Sequence, residues 1–189
     1  MRLSHIVVIG VVCFAAVTVV AWLVTSGIAG EAFVVNHGHA VALPGASITL
    51  YRVDRTQKDK ILAEISANRT RYAEDASQLK QFAHEAETAL ASGVPAEIAI
   101  DGFDRHAHLA EMKFCFGLAN TLSYAPTPSI SGNADREGHF SFNVNPGNYF
   151  VHMVAETGKR HVEWFEFVHV RWREQLRLVE PTCSYSAVD

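Results

Sequence analysis

Residues 6–30 (IVVIGVVCFAAVTVVAWLVTSGIAG) hold no ionisable side chain except Cys13, and every Asp and Glu of the chain lies at Glu31 or beyond it. A helix rises about 1.5 Å per residue, so about 20 apolar residues cross a hydrocarbon layer, and this run exceeds that length. Arg2 and the amino terminus precede the run and Glu31 follows at once. That order of charge leaves the amino terminus in the cytoplasm and sends the rest outward. The expectation is a single N-terminal transmembrane anchor over 1–30, with residues 6–30 in the bilayer and Trp22 near its outer interface. A signal peptide removed after the small pair Gly27 and Ala29 is the competing reading, although the run is longer than the roughly 7–15 apolar residues such peptides use. Val12 stands where a lipoprotein signal requires a small residue, so Cys13 reads as a small apolar side chain in lipid. The short, Ala-rich anchor has a bacterial character, which gives a bacterial inner-membrane location with the C-terminal bulk in the periplasm.

Beyond the anchor about 159 residues remain, room for one domain with a real core rather than two. Without Arg2 they carry fifteen Lys and Arg against twenty Asp and Glu, a net of about −5 with no polybasic block. Such a surface does not draw nucleic acid, which is excluded as a partner. Cys115 and Cys183 would sit in an oxidising compartment, either as one disulfide or as two separate thiols.

Along the chain, AFVV (32–35) and ASITLYRV (46–53) read as strands, joined through turns at Gly38 and at Pro44–Gly45. The period then changes. From Thr56 to Ser92 there is no Pro or Gly, and Ile61, Ile65, Tyr72, Leu79, Ala83, Ala86 and Leu90 recur mostly three, four or seven apart. That spacing predicts a helical insert over 56–92, closed by Gly93 and Pro95. About 36 helical residues would reach about 54 Å, so the insert either breaks into a hairpin around 66–69 or projects toward a partner. Residues 93–132 form an irregular segment: EIAI (97–100) fits a short strand, DGFDRHAH (101–108) a polar loop, and LAEMKFCFGL (109–118) a strand or a short helix. Short strands with tight turns return at HFSFNV (139–144), YFVHMVAE (149–156), VEWFEFVHVRW (162–172) and EQLRLVE (174–180). A tail over 181–189 ends the chain.

Gly45, Ala46, Ile48 and Leu50, followed later by Asp135, Gly138, Phe140, Phe142, Pro146, Gly147 and Tyr149, make a pattern. It resembles the carboxypeptidase regulatory-domain-like, or transthyretin-like, β-sandwich family, with its G-A-x-V-x-L strand and its T-D-x-x-G-x-F-x-F-x-x-x-P-G-x-Y run. The resemblance spans 31–53 and 133–180 and leaves 54–132 outside it. It implies a mainly β chain: a transmembrane helix followed by a transthyretin-like antiparallel β-sandwich over 31–180, interrupted by the long helical insert. It also implies a small accessory or adhesive module. The Tyr-Arg-Gly-Ser signature of the hydroxyisourate hydrolases within that fold is absent from the ending PTCSYSAVD.

Ten histidines raise the question of a metal. His37 and His39 are two apart, as are His106 and His108, and on a strand an i,i+2 pair puts both imidazoles on one face. If the four converged they would suit Zn or Cu; solvated loop histidines are the plainer reading, with no cofactor. His139, His152, His161 and His169 read as strand-face residues. The chain has neither G-x-S-x-G nor H-E-x-x-H, and Ser47, Ser141 and Cys115 read as local packing positions in expected strands, so no catalytic residue is assigned. Alternation separates Trp164 from Phe165 and Phe167, leaving Trp164 and Trp172 either as an exposed aromatic edge or as caps on the core. Tyr72, Leu79 and Phe82 on the insert, with Trp164 and Trp172, are the expected contacts to a partner. Asn68-Arg69-Thr70 fits a glycosylation triplet but lies within the helical insert. The reading is a non-catalytic accessory or structural subunit of a larger inner-membrane or envelope complex; the alternative is a periplasmic module that binds a metal or small ligand at His-rich turns.

Overall fold

The computed structural model describes residues 26–36, 39–158, 160–178 and 181–186. Among these residues nine strands form two sheets, and two long helices and a short 3-10 turn lie between the third and fourth strands. In the first sheet β1 (Gly27–Asn36) is central. It runs antiparallel to β2 (His39–Ala42) and β5 (His139–Asn143), and parallel to β8 (Arg173–Leu178). The second sheet has the order β4 (Ile130–Asn133), β3 (Ser47–Arg52), β6 (Gly147–Thr157), β7 (Arg160–Val170), β9 (Cys183–Ser186), with every neighbour antiparallel.

Period-two alternation explains how the sheets meet. Ile28, Ala32, Phe140, Phe142 and Leu178 from the first sheet share one core with Ile48, Leu50, Val151, Met153, Val162 and Trp164 from the second. The turn between β4 and β5 is set by Asp135, whose Oδ1 accepts from the backbone N–H groups of Glu137 and His139 at 2.9 and 2.8 Å. Those bonds to the ionised form hold its carboxyl below the usual carboxylate range. Gly138 completes the turn at φ +82°, where a Cβ would meet the Ala32 carbonyl oxygen at 2.5 Å.

The second sheet is covered on both faces. Phe150 and Phe165 point away from the first sheet into a second apolar cluster with Val53, Ile61, Ile65, Cys115, Leu118 and Cys183. The helices that supply it are α1 (Arg55–Ala91) and α2 (Ala96–Ala119).

Four expectations from the sequence do not hold in this fold. The transmembrane helix at the head of a mainly β chain is not supported: no described helix is long and apolar enough to cross a membrane. The far end of the expected span, 27–30, is instead strand, with Ile28 fully buried between the sheets, while 1–25 lie outside the described residues. The single-pass inner-membrane location resting on that span is withdrawn with it. The segment 93–132, expected to be irregular, is largely α2. Asp101, Gly102 and Asp104 have loop chemistry and Phe114-x-Phe116 mimics strand alternation, but packing against α1 overrides both local signals. The chain thus mixes helix and sheet rather than being mainly β.

Candidate functional site

The two helices form an antiparallel arm rooted on the outer face of the second sheet. β3 leads through buried Val53 to Asp54, which caps α1: its Oδ1 accepts from Gln57 N at 2.8 Å, and its own N–H donates to Gln57 Oε1 at 2.9 Å. This reciprocal box satisfies two otherwise orphan donors at the helix start. Ile61 and Ile65 bury the first turns on the sheet, and α2 returns to the same place with Cys115 and Leu118. A disulfide joins Cys115 to Cys183 on β9. Where α1 leaves the sheet, buried Asn68 donates through Nδ2 to the Phe114 carbonyl at 2.8 Å. Its site leaves no room for a glycan.

Between Asn68 and Ala110 no residue is buried. The helices there hold each other through a narrow seam. Tyr72 packs on Phe114 with ring centroids 4.5 Å apart, and Phe82 stacks on His106 at 4.0 Å, beside Leu79 and Leu109. At the far end Ser92 caps α1, Gly93 turns the chain at φ +84°, and Pro95 opens α2. The reversal exposes Leu90 (40%), Val94 (36%), Ile98 (69%) and Ile100 (40%). From Gln81 to Asp104 the tip carries Glu85, Glu87, Glu97, Asp101 and Asp104 and no Lys or Arg; Asp101 pairs with Arg105 one turn on.

Beside the arm's root, the same sheet face carries a chain of hydrogen-bonded acids and imidazoles. Glu163 is 7% exposed. Its two oxygens meet His152 Nε2 and His161 Nε2, each at 2.8 Å, and His161 Nδ1 meets Glu156 Oε1 at 2.7 Å. Burial alone would raise the Glu163 carboxyl, but the hydrogen bonds and charge of the two imidazoles outweigh it and the net shift is downward. For His161 burial works against the charged form, and the two carboxylates reverse it, so its pKa is raised. Tyr185 packs tilted on His161 with ring centroids 4.8 Å apart, and burial first, then Glu163 and Glu156, push its hydroxyl up. Both oxygens of Glu163 and both ring nitrogens of His161 are used within the cluster, which suits a structural ion network between β6 and β7 with Tyr185 of β9 packed on it.

The expected site residues are distributed as follows. Tyr72, Leu79 and Phe82 line the seam of the arm rather than its outer surface. Trp164 is 1% exposed in the shared core, because its face of β7 meets the first sheet, whereas Trp172 is 57% exposed between β7 and β8. His37 lies outside the described residues, and His39 is exposed on edge strand β2. His106 and His108 are on a helix, where an i,i+2 pair turns to different sides: His106 stacks on Phe82, while the Nε2 atom of His108 is buried. Among the described residues the close grouping of potential metal ligands is Asp135, Glu137 and His139, all exposed, and it includes none of the expected four. Sequence reasoning missed the His161–Glu163 pair. The i,i+2 argument applied to His37 and His39 would have found it on a strand, and the two-residue reversal that sets Thr157 opposite Arg160 would have brought His152 alongside.

No family model matches the chain, and no curated protein does. Among solved structures, a candidate carbohydrate-binding protein from Pseudomonas aeruginosa aligns over 84% of this chain and 90% of its own, at 11% identity and a TM-score of 0.35. A likeness of that degree carries no argument about fold or function.

Proposed function

We propose that the protein is a non-catalytic accessory or structural subunit that holds a partner protein through its two-helix arm, with the two-sheet body, read as a transthyretin-like module, serving as the base. The observation that supports this is the arm itself: beyond Asn68 it continues for about 35 Å of helix at 1.5 Å per residue without burying a single side chain until Ala110. Isolated helix pairs gain little from such a thin seam, since most helical stability comes from burying a broad apolar face. An arm maintained at that cost, with apolar residues at its end, is suited to a contact that its own body does not make.

The test is excision of residues 69–109, replaced by a short Gly-Ser connection, with near-UV circular dichroism to verify the body. In native extracts the full chain should elute as part of a larger assembly and the excised form should not. An unchanged elution volume for a correctly folded excised form would sink this function.

A further inference from the structure

We infer that the arm tip docks on a protein surface that is apolar at its centre and ringed by Lys and Arg. This rests on the reading of the arm as a contact element and adds the chemistry of what it contacts. Leu90, Val94 and Ile98 lie within one turn of the reversal and are 40, 36 and 69% exposed, while Ile100 follows at 40%. Large aliphatic side chains gathered at one end of a long exposed element are the core of a contact patch. The rim then selects the partner. Five carboxylates stand from Gln81 to Asp104 against two cations that flank them, Lys80 and Arg105, and of the five Asp101 has a paired guanidinium, from Arg105. Glu85 accepts from the Gln81 amide at 2.9 Å, which leaves its charge uncompensated.

Charge complementarity disfavours two other occupants. A second copy docked tip to tip would set one acidic tip against another, and like charges across an interface oppose association. An anionic lipid surface repels the same carboxylates, since membrane-surface elements of this kind carry Lys and Arg instead. A cationic rim around an apolar patch is the surface that satisfies both parts of the tip, steering the encounter by charge and holding it by apolar burial.

The probe is a synthetic amphipathic helical peptide with a leucine face and a lysine face, compared with a leucine–glutamate counterpart, titrated against the full-length chain by fluorescence anisotropy at low and at moderate salt. The lysine peptide should bind, the glutamate peptide should not, and binding should weaken as salt rises. The double variant Val94→Ser with Ile98→Ser keeps the charge and should lose at least tenfold in affinity. The double variant Glu97→Gln with Asp104→Asn keeps the apolar patch and should lose affinity together with part of the salt dependence. The inference is overturned if the serine variant binds as well as the parent, because cationic peptides are then adsorbing to acidic surface in general. It is also overturned if the glutamate peptide binds equally, if phosphatidylglycerol vesicles bind the tip, or if the tip self-associates. Should the peptide fail while the excised arm still abolishes assembly, the contact role stands and only the partner chemistry falls.

Discussion

Asn68 on α1 lies directly against Gly117 on α2, so that a Cβ built on Gly117 would land on the Asn68 side-chain oxygen. The same asparagine donates to the Phe114 carbonyl, which locks the crossing at the point where the arm leaves the body. Gly117→Ala should therefore lower stability by about 1–3 kcal/mol, the usual cost of inserting a methyl group into a packed site. Chemical denaturation reads this directly; a change within error would mean that the crossing adjusts freely. Gly102→Ala is the control, because nothing lies within 4 Å of the position its Cβ would take. It should be neutral or stabilising, since alanine is the better helix former.

The His161–Glu163 pair gives the body a pH profile. His161 has a raised pKa, so its contribution is complete below a histidine's ordinary value of about 6.5 and fades as pH rises through the raised value. Glu163 has a lowered pKa, so its contribution is complete above a glutamate's ordinary value of about 4.3 and fades as pH falls through the lowered value. Between those limits His161 and Glu163 are both charged and paired. The melting temperature should fall on the alkaline side of this window, and His161→Gln should remove that decline. A variant that keeps the full alkaline decline would show that another group causes it.

Cys115 and Cys183 close a span of 68 residues that includes the whole descent from α2 to β9. Cross-linking a loop of that size restricts the unfolded chain and contributes about 2–4 kcal/mol. The double variant Cys115→Ala with Cys183→Ala should lose that amount in a denaturant titration, with faster amide exchange at β9 and the end of α2. Equal stability with and without the bond would contradict this account of how the arm is fastened.

Asp54→Ala removes the side-chain half of the capping box, leaving the Gln57 backbone N–H without its carboxylate acceptor, while the backbone N–H of residue 54 still donates to Gln57 Oε1. The loss should be about 1 kcal/mol, accompanied by fraying of the first turn of α1 in amide exchange.

Legibility differed from place to place along the chain. The 3.6-residue recurrence of Ile61, Ile65, Tyr72 and Leu79 marked α1, and the alternation of Phe140 and Phe142 marked β5, because each periodicity follows from one buried face. α2 was hidden by Asp101, Gly102 and Asp104, whose local preferences are for turns, and by Phe114-x-Phe116, which reads equally as strand alternation. Alternation alone leaves Trp164 open between an exposed edge and the core, because it does not show that both faces of β7 are covered; the helices cover the Phe165 face with Ile61, Ile65 and Leu118, and the first sheet covers Trp164. The apolar continuity from Ile6 to Gly30 concealed a boundary, since Ile28 is as apolar in a sheet core as in lipid. Composition alone does not separate those two environments. The arm tip was visible only as the reversal at Gly93 and Pro95, because exposure at Ile98 depends on which helix faces are paired.

The central claim is that the arm, and not the sheet edge, holds the partner. A photo-crosslinking amino acid placed at Leu90 or Ile98, and separately at His39 on β2, should be tested in cells that make the full chain. The account predicts one discrete protein adduct from the two arm positions and none from His39. Adducts from His39 alone, or none from either arm position, would contradict it.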